Sequence, residues 1–241
     1  MTRNLRISLT VLSLGFAFEG VGEVYTRFFA GAAPPGVTFL FLLPLVLTVL
    51  GLLFVWVGRE EWNEVHRVRV RTANRVFAYS LLGGVVAGAL LALLVEVPSL
   101  GTPPWAQAVF GAAVASLVFG TFVTYAYLVF HLVSDSGRVA VVIALVWALI
   151  VSVAVAVVIA ANLSTVITLV NTPTFSIPNF VAPVEFLISY LFVSYFLLLA
   201  AYIEAHVAVT RGLVTVSNRP GVPVTRHSEP PSPAPGPAKP N

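Results

Sequence analysis

The sequence predicts an all-α, polytopic integral membrane protein: a six-helix transmembrane bundle, both termini in the cytoplasm, with a disordered Pro-rich C-terminal tail. Three observations predict it. Of 241 residues, 58% are hydrophobic and 10% charged, with a mean hydropathy of +0.95, whereas soluble domains carry about 25% charged residues. Six apolar runs each reach 21 residues or more, enough for a helix to cross about 30 Å of hydrocarbon. The basic residues gather in alternate connections, as cytoplasmic loops require.

The runs cover residues 7–29, 37–57, 76–97, 105–133, 139–161 and 184–209, within a membrane bundle of residues 1–216. Most lack the polar stripe at helical spacing that a soluble core helix carries. Arg3 and Arg6 precede the first run. Arg59, Arg67, Arg69, Arg71 and Arg75 lie between the second and third, Arg138 between the fourth and fifth, and Arg211, Arg219, Arg226 and Lys239 after the sixth. The alternate connections, residues 30–36, 98–104 and 162–183, hold no Lys, Arg, Asp or Glu. Every basic residue except Arg27 therefore falls on one side, the cytoplasmic side of a cell membrane. Trp56, Tyr79 and Tyr202 near inner ends, with Tyr25 and Trp105 near outer ones, fit an interfacial aromatic belt, and Trp147, deeper, fits packing.

At the N-terminus, Arg3, Arg6, an apolar stretch and Ala30-Gly31-Ala32 resemble a cleavable signal peptide, which would leave five spans. The long intervening region with Glu19, Glu23 and Arg27 speaks against it. Residues 59–75 read as a basic helix running into the third span, with Trp62, Val65, Ala73 and Val76 on one side. Glu60, Glu64, Arg67, Arg71 and Arg75 lie opposite. Such a segment serves as an ordinary inside loop or binds lipid headgroups or a partner. Residues 162–183 form the longest outer connection, where Pro173, Pro178 and Pro183 preclude a continuous helix. Residues 217–241 contain eight prolines and little large apolar surface, so they are expected to be disordered.

Small residues recur at four-residue spacing: Gly84, Gly88 and Ala92; Ala108, Ala112, Ser116, Gly120 and Thr124; Ala140, Ala144, Ala148, Ser152, Ala156 and Ala160. Lipid offers helices no hydrophobic drive to associate, so close backbone approach substitutes for it. These runs are expected to pack tightly within one chain. The same stripes also suit a homo-oligomer.

The first run carries the candidate site. Gly15, Glu19, Glu23 and Arg27 follow at intervals of four, along one helix face. Glu19 lies about 18 Å along the axis from Ile7, near mid-bilayer. Carboxylates there are rare and face a bundle interior or a wet cavity. Glu19, Glu23 and Arg27 thus read either as an ion or proton site or as a structural set in which Glu23 pairs with Arg27. A second cluster, His66, His131, Glu204 and His206, maps to the cytoplasmic boundary. These are metal-ligating residue types, but their spacing matches no metal motif and scattered interfacial side chains account for them as well.

The chain has no cysteine, which removes disulfides, thiolate metal sites and cysteine nucleophiles. Phosphate loops, nucleophile elbows and the HExxH pattern are absent, so the reading leans away from an enzyme and no cofactor is expected. The basic residues flank spans, so no nucleic-acid partner is expected. The expected partners are the lipid bilayer and, beyond it, a second copy or another membrane subunit. Two function classes remain. One is a small transporter, channel or proton-coupled protein working through the intramembrane carboxylates. The other is a non-catalytic membrane subunit or scaffold that binds partners through its basic loop and tail. No inverted repeat or broken helix is legible to favour the first.

Overall fold

The computed structural model describes residues 3–29, 37–57, 64–171, 184 and 186–212. Among them every regular element is helical: α1 (Arg3–Phe29), α2 (Val37–Val57), α3 (Glu64–Glu96), α4 (Pro104–Val129), α5 (Asp135–Ala161), α6 (Leu163–Asn171) and α7 (Phe192–Thr210). A single 3-10 turn, Pro98–Leu100, follows α3. Five helical stretches are long and apolar enough to cross a membrane: Arg3–Tyr25, Arg67–Glu96, Pro104–Val129, Asp135–Ala161 and Phe186–Thr210. α2 is a helix of 21 residues with no charged side chain. The Pro-rich tail and most of the long connection before α7 lie outside the described residues.

Neighbouring helices run antiparallel. α1 packs on α2, with Ser8 Oγ donating to the Gly51 carbonyl at 3.0 Å. On its other side α1 meets α7, where Phe16 touches Tyr202 and Gly20 faces Phe196. α7 packs on α5, α5 on α4 and α4 on α3. A Cβ on Gly120 of α4 would collide with the Ser80 hydroxyl of α3. Glycine there is what lets these two backbones approach. Because these five pairings are antiparallel, the segments bearing Arg3 and Arg6, Arg67 to Arg75, Arg138 and Arg211 collect at one end of the bundle.

The α5 stripe works as an interface within the chain, whereas Ala92 of α3 and Ala108 and Ala112 of α4 are exposed. On α5, Ala144, Ala148, Ser152 and Ala156 are buried, and Ser194 Oγ of α7 donates to the Ala144 carbonyl at 2.8 Å. Val139, Val142, Ile143, Val146, Ile150, Val153 and Val157 point outward and are exposed. A row of large aliphatics opposite a row of small inward residues is what a lipid-facing helix needs. α6 was legible only as a partly structured connection. It buries Leu163 against Ala87, Leu90, Leu94, Ala106 and Phe110 of α3 and α4.

Two boundaries differ from the sequence reading. The fourth run ends as helix at Val129, because residues 130–133 turn toward α5. From Glu64 on, the basic segment is continuous with the third span, as the sequence reading expects. The last run is interrupted at Tyr190–Leu191, where i→i−3 bonds join Tyr190 to Leu187 and Leu191 to Ile188. The Trp147 indole of α5 donates to the Tyr190 carbonyl at 2.7 Å, satisfying an acceptor at the break. Trp147 is thus a hydrogen-bonding residue as well as a packing one.

Candidate functional site

Glu19 sits on α1 directly beyond Phe16 and Gly15, the residues that bind α1 to its neighbours. A Cβ on Gly15 would lie 3.3 Å from the Thr48 hydroxyl of α2. Phe16 is buried and makes edge contacts at 5.0 Å with both Tyr125 of α4 and Tyr202 of α7, and it stacks on Tyr195 at 6.4 Å. Three helices therefore converge on this one ring, with α2 against the neighbouring Gly15.

The tyrosine hydroxyls form the polar lining above it. Tyr125 shares a side-chain hydrogen bond with Thr48 and lies within electrostatic reach of Glu19. Tyr195, tilted against Phe122 at 5.1 Å, lies within reach of Glu19, Glu23 and Tyr125. Tyr202 donates its hydroxyl to the Tyr125 carbonyl at 2.9 Å and is fully buried. That corrects its place in the sequence reading: it is a core residue, not part of an interfacial belt, because its hydroxyl finds a partner inside the bundle. Tyr79, Trp56 and Trp105 remain exposed.

Among the described residues, neither a hydrogen bond nor a salt bridge ends on the Glu19 carboxyl, and no cation lies against it. Glu23, one turn further along α1, is half-buried. Arg27 belongs to the same helix, but its side chain lies outside the described residues, so the expected Glu23–Arg27 pair does too. The assembly presents one or two carboxyls and two or three hydroxyls, all hard oxygen donors. Such a set can pass a proton between neighbours or hold a small hard cation.

Of the second cluster, the described members His131, Glu204 and His206 each have other neighbours. Glu204 of α7 accepts the Ser134 backbone N–H at 2.7 Å and lies against Gly137, so it caps α5 at its positive end. A Cβ on Gly137 would collide with that carboxylate. His206 meets the Thr10 hydroxyl at 3.4 Å, and His131 packs edge-on to Tyr127 at 6.2 Å. His66 lies in α3 with its side chain outside the described residues. Among those described, no group of three or more His, Cys, Asp or Glu is placed to hold a metal ion.

The residues that sequence reading missed are Phe16, Thr48, Tyr125 and Tyr195. A signal existed, since hydroxyl-bearing aromatics inside apolar runs seek polar partners. Which helix would supply the partner was not in the spacing. No known protein family matches this chain, and no curated protein or solved structure matches it.

Proposed function

We propose that this chain is a six-span protein of the cell membrane, with both termini in the cytoplasm, that carries protons or small cations through a site containing Glu19. α2 supplies the sixth span in this reading, and the gathering of arginines at one end of the bundle supports the orientation. The observation that carries the function is the Glu19 carboxyl itself. It lies within electrostatic reach of Tyr125 of α4 and Tyr195 of α7, with no described cation against it. An ionised carboxylate at mid-bilayer costs about 2.5–3.5 kcal/mol on insertion scales. A transported proton or cation removes that cost while bound. The broken start of the last span, one turn before Tyr195, supports the same reading, since interrupted helices are common where ions pass.

The test is flux in proteoliposomes under an imposed potential, read with a pH-sensitive or cation-sensitive dye. Wild-type protein is expected to exceed protein-free vesicles, and Glu19→Gln to fall to their level while remaining folded. Tyr195→Phe is expected to slow the flux without abolishing it. Absence of proton, sodium and potassium flux in wild type, or full flux in Glu19→Gln, would overturn the reading.

One observation favours the second class, a non-catalytic subunit. α4 and α5 leave an open groove of about 480 Å³ lined by Gly111, Ala112, Ala156 and Ala160. Small residues of this kind admit another helix closely. Cysteines at Ala112 and Ala160 that cross-link to a second transmembrane chain, in a protein without flux, would favour it.

A further inference from the structure

The end of α2 and the arginine-bearing start of α3 pack little on each other, since α2 lies mainly on α1 and α3 on α4. Between them lies a cavity of about 550 Å³, lined by Trp56 of α2 and by Arg67, Arg71, Asn74 and Arg75 of α3. The three guanidiniums follow at intervals of four, so they occupy one helix face and repel one another. Among the described lining residues there is no carboxylate to offset them. Arg71 and Arg75 are exposed, as solvated arginines are, but Arg67 is not. Its Nε is fully buried and has no hydrogen-bond partner among the described residues.

A solvated basic face explains Arg71 and Arg75; it leaves the buried Arg67 Nε unexplained. An unsatisfied charged donor is strongly disfavoured. Nε also belongs to the edge of the guanidinium that grips two oxygens of one anion side by side. The surrounding chemistry narrows the anion. Trp56 on the last turn of α2 is half exposed, as interfacial tryptophans are, which sets the cavity at headgroup depth. The oxyanion present at that depth is phosphate, and basic pockets between membrane helices are suited to it.

We propose that this cavity binds a phosphate group, gripped by the Nε edge of Arg67, with Arg71 and Arg75 supplying charge and Asn74 an amide donor. The inference is independent of any flux through Glu19. Two sources carry this chemistry, an anionic lipid headgroup and a free phosphate compound.

The experiment places purified protein in phosphatidylcholine nanodiscs and follows its melting temperature. One arm titrates inorganic phosphate at constant ionic strength, and the other adds phosphatidic acid to the bilayer. Stabilisation in either arm is expected, and the arm in which it occurs identifies the source. Arg67→Lys keeps the charge but loses the fork, and is expected to weaken binding about tenfold. Arg138→Gln, outside the cavity, is expected to bind like wild type. Absence of stabilisation of the wild type in both arms would overturn the proposal, and that measurement needs no variant. So would Arg67→Lys binding as tightly as wild type, or Arg138→Gln losing as much as Arg67→Lys, which would mean a diffuse positive surface.

Discussion

Tyr202 and Glu204 lie two residues apart on α7, each spending its polar group on another helix. The Tyr202 hydroxyl reaches the Tyr125 carbonyl, tying α7 to α4 beneath the carboxylate site. Tyr202→Phe keeps the ring against Phe16 and removes only that bond, so a loss of about 1 kcal/mol is expected. Thermal melting in detergent measures it, and an unchanged midpoint would mean the bond contributes nothing. Glu204 accepts the Ser134 N–H and adds negative charge at the start of α5. Glu204→Ala is expected to cost about 1 kcal/mol, and Glu204→Gln less, since the amide oxygen still accepts but the charge is gone. Equal losses in the two variants would show that the charge is irrelevant. That Glu19 falls inside an apolar run was legible in the sequence. Its neighbours were not, because they come from helices distant in the chain.

At the scale of elements, α7 and α4 are the informative cases. A hydropathy reading sees one apolar run from 184 to 209, because a break at Tyr190–Leu191 changes hydrogen bonding without changing composition. What tolerates the break is Trp147, on a different helix. Trp147→Phe removes the indole donor and leaves the Tyr190 carbonyl the longer bond from the Val193 N–H, a loss of about 1 kcal/mol. Hydrogen exchange is expected to speed up around residues 190–195 while the middle of α4 is unaffected. Uniform change, or none, would show that the break does not depend on Trp147. The contact between α3 and α4 rests on Gly120. Gly120→Val places carbon where the Ser80 hydroxyl sits and is expected to destabilise by about 1–3 kcal/mol. Ser80→Gly in the same chain is expected to restore part of it, a coupling that a double-mutant cycle reads directly.

For the whole molecule, the charge asymmetry makes a prediction that a chain without cysteine tests cleanly. Single cysteines at Ser99 and Ser176 are expected to react with an impermeant reagent from outside the cell. Those at Ser134 and Ser217 are expected to react only after permeabilisation. The opposite pattern would invert the orientation, and a mixed one would change the number of spans, α2 being the first in question. Deleting residues 228–241 is expected to leave expression and melting unchanged, since that segment has little apolar surface to bury.

Membrane class, the positions of the apolar helices, the clustering of arginines and the place of Glu19 within the first apolar run were determined by the sequence alone. Each follows from how a single segment partitions between water and hydrocarbon, a property of that segment's own side chains. Which helices become neighbours is a pairwise property. Small residues lie on several faces of α3, α4 and α5, so many pairings satisfy the same pattern. Only the tertiary structure decided that Phe16 stands among Tyr125, Tyr195 and Tyr202. It alone decided that Glu204 serves as a cap rather than joining the histidines. And it alone left Arg67 beside an open cavity, because α2 and α3 each pack better on another helix than on one another.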